Sequence, residues 1–317
     1  MLWGFRVTRL TQDEINLYTL DTIQKLQAVY EPGRDRIVTP ENVFQPAVRE
    51  GRDVLETFVR RLLLDGSRLE GREHLDHCLA ELAAGRTVLF LSEHRGNLDA
   101  PSFNVLVREA DPRYGDLLDK LVYVAGRKLN ESSDFIKMFT EKYSRLVIVP
   151  KRDFPPELPD PTPEELAARE AFEADAARIN RAAFRQLIRL KREGYIFVLF
   201  PLGGRWKPTA GNEPVPETVS YIQAFDTVYL VSMEGNTLPV QERMEDERPI
   251  QDTVVFRVGP ALDSKTFLAQ QRARYREALG GGHVTSATEQ DRYIVDQIML
   301  MLENLRTSGS YGAPAAA

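Results

Sequence analysis

The 317-residue sequence contains one cysteine, Cys78, and lacks long apolar runs. A single cysteine excludes an intramolecular disulfide and a cysteine-rich zinc site, so a reducing compartment is the simpler expectation. The longest apolar runs, such as residues 87–92 and 195–201, are far shorter than the roughly 20 residues that a membrane span needs. Residues 1–10 lack the basic start and apolar core of a signal peptide. We therefore expect a soluble cytoplasmic protein, or one that rests peripherally on a membrane.

Histidine is also scarce, and no strong excess of basic charge is present. The four histidines are not accompanied by a carboxylate–histidine cluster, so the sequence predicts no metal site. His74 and His77 lie three residues apart, and we interpret them as surface residues of a helix. The formal net charge of −6 argues against a nucleic-acid partner. A hydrophobic content of 43% and a charged content of 28% are ordinary for a folded globular protein.

The first 84 residues are interpreted as a small helical bundle. Thr11 and Glu14 have the spacing of a capping box, and helix-spaced apolar residues follow them as far as Val29. Pro32 and Gly33 end that helix. Further helices are predicted over residues 46–65 and 70–84. The expected organisation is a bundle over residues 1–84, a catalytic domain over 85–307 and a disordered tail over 308–317.

From residue 85 onward the pattern is typical of an α/β protein. Six short runs rich in Val, Ile, Leu and Phe are predicted to be strands, and helical stretches separate most of them. These runs cover residues 87–92, 121–125, 146–149, 196–200, 228–233 and 254–258. Near-continuous apolar strands between helices predict a largely parallel mixed sheet flanked by helices.

The most informative motif places His94 and Asp99 directly after the first predicted strand. Ligands of open α/β sheets bind at the carboxyl ends of the strands. A turn through Gly96 can bring Asp99 back against the imidazole, so that the carboxylate orients the ring and the other ring nitrogen takes a proton from a hydroxyl group. The alternative is a loop histidine capped by an aspartate that begins a helix. Because no Gly-x-Ser-x-Gly motif is present, direct proton abstraction is preferred to a covalent intermediate.

Two groups of basic residues follow other predicted strands and should lie at the same edge as His94. Cations there suit a phosphate dianion, and paired glycines let backbone amides approach an anion closely. The alternative interpretation is ordinary surface charge beside a turn. The candidate phosphate-binding residues are Lys151, Arg152, Gly203, Gly204, Arg205 and Lys207.

The order of these motifs resembles the glycerolipid acyltransferases, and most closely the soluble plastid-type glycerol-3-phosphate acyltransferases. The resemblance rests on the His-x-x-x-x-Asp spacing of His94 and Asp99, and on residues 123–128, 146–152 and 200–207. It extends from about residue 81 to 235. The sequence departs from the plastid pattern at Asp153, where those enzymes have His, and at Lys207, where they have Arg. Many membrane-bound relatives have Glu at the position of Leu202.

The resemblance implies transfer of a fatty acyl group from a thioester to glycerol 3-phosphate, which yields lysophosphatidate. The donor would be acyl carrier protein or coenzyme A, acting as co-substrate, with no further cofactor. Three alternatives stay open: acylation of lysophosphatidate at its second position, a catalytically inactive module that binds a carrier or lipid, and a hydrolase in which water replaces the acceptor.

Regularly spaced arginines mark the helix predicted over residues 164–193. Their spacing of three and four residues places them along one stripe. The ordinary explanation is a solvated face whose bases lie towards the helix carboxyl end. The alternative is a docking surface for an acidic acyl carrier protein, as the resemblance implies, or for anionic lipid headgroups. The candidate docking residues are Arg178, Arg181, Arg185 and Arg189.

Overall fold

The computed structural model describes residues 9–131, 133–207, 213–243, 246–279 and 286–311. Its strands are β1 Phe44–Gln45, β2 Arg68–Glu70, β3 Val88–Ser92, β4 Leu121–Gly126, β5 Arg145–Ile148, β6 Ile196–Leu199, β7 Thr227–Glu234, β8 Val255–Val258 and β9 Leu262–Asp263. Its helices are α1 Gln12–Val29, α2 Arg52–Leu62, α3 Arg72–Ala83, α4 Asp99–Ala110, α5 Gly115–Asp119, α6 Arg127–Glu131, α7 Asp134–Thr140, α8 Pro163–Arg192, α9 Thr218–Ala224, α10 Ser264–Ala278 and α11 Ala287–Ser308. Short 3₁₀ turns cover Pro112–Tyr114 and Lys151–Asp153.

One mixed sheet organises the fold. Its strand order is β1-β5-β4-β6-β3-β7-β8-β2, and β9 pairs with β7. The five central strands, from β5 to β7, run parallel, whereas β1, β8 and β9 are antiparallel to their central neighbours. The predicted α/β fold with a largely parallel mixed sheet flanked by helices is confirmed. All six predicted strands are present, with small differences at their ends.

The first 84 residues differ from the prediction of helices alone, because they contribute two strands. Phe44 pairs with Leu146 at one end of the sheet, and Arg68 pairs with Val255 at the other. Strands of two or three residues are too short to show an alternating pattern. Helix α2 begins at Arg52 rather than at residue 46, because Gly51 adopts the left-handed conformation with φ 77°. The division at residue 84 stays a prediction.

The carboxyl end of the chain also differs in part from the prediction. Helix α11 continues to Ser308, and Gly309 ends it with φ 71°. The rest of the predicted disordered tail lies, from residue 312 on, outside the described residues.

The core has two apolar layers, one on each face of the sheet. Alternation along β3 illustrates this, because Phe90 belongs to one layer while Leu89 and Leu91 belong to the other. Helices α1 to α5 cover the first face, and α8 to α11 cover the second. Burial on both faces explains why the central strands read as continuous apolar runs. Among the described helices, none has both the length and the apolar character needed to cross a bilayer.

Candidate active site

A hydrogen-bonded histidine–aspartate pair lies just beyond the carboxyl end of β3. The Nδ1 atom of His94 is 2.8 Å from Oδ2 of Asp99, the first residue of α4. The same carboxylate oxygen accepts the backbone N–H groups of Arg95 at 2.6 Å and Gly96 at 3.0 Å. With Nδ1–H donating to Asp99, Nε2 is the nitrogen available to take a proton. Asp99 is only 5% exposed, so its carboxylate acts on the ring with little solvent screening.

Gly96 makes the tight turn between these two residues possible. A Cβ atom at position 96 would collide with the Asn236 side chain and would lie 2.8 Å from the Leu238 carbonyl oxygen. Asn236 follows β7, and its side-chain Nδ2 donates to the Arg95 carbonyl at 2.7 Å. The loop that carries His94 is therefore fixed against the neighbouring segment, and any larger residue at position 96 would displace it.

The loop after β6 supports the imidazole from another side. The His94 ring stacks on Phe200, with centroids 4.2 Å apart and planes inclined by 20°. The Trp206 backbone N–H donates to the His94 carbonyl at 2.7 Å. Ring position is thus set by the carboxylate, by an aromatic face and by a backbone hydrogen bond. Such support is what a general base needs to hold its geometry.

A cleft of about 300 Å³ opens beside His94. Its lining combines two charged side chains with aromatic and small residues: Ser92, Glu93, His94, Arg95, Phe200, Pro201, Leu202, Gly204, Trp206 and Met299. The Arg95 guanidinium lies 5.3 Å from the Trp206 ring and 3.8 Å from a Glu93 oxygen. Sequence reasoning missed Arg95 as a candidate, although its position next to His94 at the end of a strand was a usable signal.

Glu93 is the buried carboxylate of this cleft. It accepts the Met233 backbone N–H at 2.8 Å, and it lies 3.3 Å from Nε of Arg306 in α11. Burial raises the pKa of Glu93, while the Met233 amide and the nearby arginines act in the opposite direction. Arg95 is therefore held beside a carboxyl group whose negative charge is itself partly disfavoured.

The cations predicted to bind phosphate lie at this edge, but several already have partners. Lys151 is highly exposed and pairs with Glu217 at 2.7 Å. Arg152 donates to the Gly203 carbonyl and, at 3.4 Å, to the Leu202 carbonyl. Arg152 therefore joins the segments that follow β5 and β6, next to Gly203 and Gly204.

Arg205 belongs to a partly buried network. Its guanidinium pairs with Glu247, whose side chain is 3% exposed. The other Glu247 oxygen accepts from Asn97 at 3.2 Å, and Asn97 lies three residues after His94. Arg205 thus ties the loop after β6 to the loop that carries His94. Lys207 is exposed, two residues further along the chain.

An apolar pocket of about 310 Å³ lies on the α4 side of the pair. We call it the apolar pocket, because large apolar side chains form most of its lining. It touches Asp99 and Phe200, and its other lining residues are Phe90, Ser92, Ala100, Phe103, Tyr123, Val198, Val231 and Phe256. Phe200, which stacks on His94, thus borders the cleft as well as the apolar pocket. This arrangement suits a substrate with a charged head and an apolar chain.

The four predicted docking arginines lie along α8. Arg178 pairs with Asp175 at 2.8 Å, and Arg189 lies 3.6 Å from Glu193. Arg181 and Arg185 are exposed, on either side of Phe184, which is 60% exposed. Asn180 is hydrogen-bonded to the backbone of Val149, just after β5. The row of arginines on α8 therefore begins beside the edge of the sheet at which His94 lies, and it continues along the helix towards the start of β6.

Within the described ranges, no group of three or more His, Cys, Asp or Glu side chains is arranged to hold a metal ion.

Comparison with known proteins gives likenesses among solved structures. Neither the protein-family models nor the curated proteins compared with this sequence match it. Among solved structures, the chain is similar to the 1-acyl-sn-glycerophosphate (LPA) acyltransferase PlsC from Thermotoga maritima. The two are 13% identical, the alignment covers 92% of this chain and 89% of that chain, and the TM-score is 0.43.

Proposed function

We propose that this protein is a glycerol-3-phosphate 1-O-acyltransferase that uses His94 as general base. The observation that carries the proposal is the 2.8 Å contact between His94 and Asp99, set between a cleft that contains Arg95 and a separate apolar pocket. A base alone would fit many reactions. The pairing of a cation beside the base with an apolar pocket on its other side favours an anionic acceptor and an acyl donor.

The proposed reaction begins with the sn-1 hydroxyl of glycerol 3-phosphate. Nε2 of His94 takes the hydroxyl proton as the oxygen attacks the thioester carbonyl, and Asp99 stabilises the imidazolium that forms. Collapse of the tetrahedral intermediate forms the ester and expels the thiolate, which takes the proton back from His94. The products are lysophosphatidate and a free thiol. The backbone N–H of Gly204, which lines the cleft, is the proposed donor to the oxyanion. The amide of Gly96 already donates to Asp99, and that of Gly203 to Phe200.

The phosphate is proposed to bind among the cations at the same edge. Lys151, Arg152 and Lys207 are exposed there, and Arg95 lies next to His94. An exposed ion pair such as Lys151–Glu217 contributes only about 0–1 kcal/mol, so a dianion can replace the carboxylate at small cost. Arg205, held by a buried carboxylate, is better suited to positioning the loop than to meeting the ligand directly.

The acyl donor is proposed to be a thioester of acyl carrier protein or of coenzyme A. Exposed Arg181 and Arg185, with Phe184 between them, would suit an acidic carrier. The location of the stripe on α8 means that a bound carrier would have to reach around the edge of the sheet to the cleft.

Acyl transfer by purified wild-type protein and by His94→Ala tests the proposal. Each protein is incubated with acyl carrier protein or coenzyme A thioesters, and with glycerol 3-phosphate, lysophosphatidate or no acceptor. Lysophosphatidate formed by the wild type and reduced at least about 100-fold in the variant would support both reaction and base. Product from lysophosphatidate alone would transfer the assignment to that acceptor. Acyl release without any acceptor would indicate a hydrolase, and no reaction at all would favour a binding module.

A further inference from the structure

A second cavity lies on the same face of the sheet as the apolar pocket. It has a volume of about 550 Å³ and is found near the amino ends of β4 and β6, away from His94; we call it the amino-edge cavity. Its lining includes Arg49, Arg52, Asp119, Tyr123, Tyr143 and Tyr195. Tyr123 lines both this cavity and the apolar pocket.

Tyr123 stands between the two spaces. Its ring centroid is 6.3 Å from that of Phe200, which stacks on His94, and 6.1 Å from that of Tyr143, which lines the amino-edge cavity. Tyr123 is buried on β4, and its Cα is paired with that of Val198 on β6. The route from the catalytic pair to the amino-edge cavity therefore meets the Tyr123 ring.

A polar network backs this ring. Arg52 lines the amino-edge cavity together with Tyr123, and its guanidinium donates to the Asn104 side chain at 2.8 Å. Arg52 is also bonded, at 3.0 Å in each case, to Glu56 and to Asp119. Because Asn104 is on α4, Asp119 on α5 and Arg52 on α2, the network joins these three helices next to Tyr123. We call Tyr123, Asn104 and Arg52 the Tyr123 partition.

The partition is a poor place for an alkyl chain to pass. A methylene inserted there would break hydrogen bonds to a largely buried guanidinium, and such bonds cost more to lose than one buried methylene gains. The side facing His94 is apolar and therefore accepts a chain, whereas the side facing away is charged. The boundary between these surfaces coincides with one aromatic side chain.

We propose that Tyr123 forms the end of the acyl-binding pocket and sets the longest acyl chain that the protein accepts. This inference rests on the proposed acyl transfer, since it makes the apolar pocket the site of the donor's chain. Removing the Tyr123 ring frees the space between Phe200 and Tyr143, where further methylenes of a longer chain can be buried.

The test measures the chain-length profile of transfer for wild type, Tyr123→Ala, Tyr123→Phe and Val198→Leu. Saturated thioesters of increasing length are compared by kcat/KM. Tyr123→Ala should move the upper limit to longer chains by two carbons or more, with a relative gain of about fifteenfold for two further buried methylenes, at about fourfold each. Tyr123→Phe retains the ring and should retain the limit. Val198→Leu adds volume beside the ring and should reduce the longest chain length that the protein accepts.

A binding measurement separates this inference from the proposed reaction. Fatty acids of the same lengths displace a fluorescent fatty acid from His94→Ala proteins with and without Tyr123→Ala. A shift of the binding profile to longer chains supports the partition even if the wild type transfers no acyl group. Identical profiles in a Tyr123→Ala protein that melts cooperatively overturn the inference, whether or not transfer occurs. If Tyr123→Ala does not fold, Val198→Leu decides: a shorter limit supports the inference, and an unchanged limit overturns it.

Discussion

Replacing Asp99 by Asn separates the charge of this residue from its hydrogen bonds. The two side chains have nearly the same shape, and the asparagine oxygen can still accept from the backbone N–H groups of Arg95 and Gly96. What is lost is the negative charge that faces the imidazolium formed when His94 takes a proton. The Nδ1–Oδ2 distance of 2.8 Å puts the centres of the two charges about 4 Å apart.

The expected loss follows from that separation. Two unit charges about 4 Å apart interact by about 4 kcal/mol at an effective dielectric constant of about 20, which suits a buried site. Each 1.36 kcal/mol is a factor of ten in rate, so kcat/KM should fall about 10³-fold in Asp99→Asn. Asp99→Ala should lose similar activity but also leave two backbone N–H groups without their partner. Its unfolding free energy should therefore fall by a further 2 kcal/mol or more, on the order expected for two unsatisfied donors.

Steady-state transfer and urea unfolding of both variants provide the assay, with Asp226→Asn as matched control. Asp226 likewise accepts two hydrogen bonds through one oxygen, from the backbone and hydroxyl of Thr87, but at the opposite end of β3. The control loses a carboxylate charge in the same way, with an oxygen that can still accept from Thr87, and it should keep its activity. An Asp99→Asn protein within tenfold of wild-type kcat/KM would refute the role of the charge. Equal stability of Asp99→Asn and Asp99→Ala would refute the stabilising role of the hydrogen bonds from the backbone N–H groups of Arg95 and Gly96.

Three further predictions concern charged side chains, two of them in the cleft and one set on α8. Arg95→Gln should raise the KM for glycerol 3-phosphate about tenfold with little change in kcat, because the lost contact binds the substrate equally in the ground state and in the transition state. The same substitution at exposed Arg113 should change neither KM nor kcat. Since burial raises the pKa of Glu93, the contribution of this group to stability should fall as the pH rises through and above the usual carboxylate range. The melting temperature of Glu93→Gln relative to wild type should therefore rise with pH, and a constant difference would contradict this. Charge reversal at Arg181 and Arg185 should raise the KM for an acyl carrier protein donor but not for acyl-coenzyme A, and equal effects would exclude carrier docking.

The strands that the sequence predicts are those that the core encloses on both faces. β3 and β6 pair along registers such as Leu89 with Phe197, and each of their apolar side chains enters one apolar layer or the other. Such strands carry their own signal as continuous apolar runs. β1, β2 and β9 have two or three residues each, so their existence depends on a partner strand far away in the chain. No local pattern encodes that partner.

The same distinction applies to the site. The five-residue spacing of His94 and Asp99 predicts a contact within one turn, and that contact is present at 2.8 Å; its catalytic role stays a prediction. The apolar pocket could not be predicted in this way. Phe103, Tyr123 and Phe256 come from three elements, and they meet only because the sheet order places β4 and β8 on either side of β3.

The cations show why a correct position does not determine a role. Lys151 and Arg205 both follow strands that end at the His94 edge, but their partners, Glu217 and Glu247, lie 66 and 42 residues further along the chain. An exposed pair exchanges its carboxylate for a ligand at small cost, whereas breaking a buried pair leaves an uncompensated charge and is expensive. Lys151 is therefore suited to bind phosphate, and Arg205 to hold the catalytic loop in place before any substrate arrives. Burial of the partner carboxylate, which the sequence does not reveal, decides between these roles.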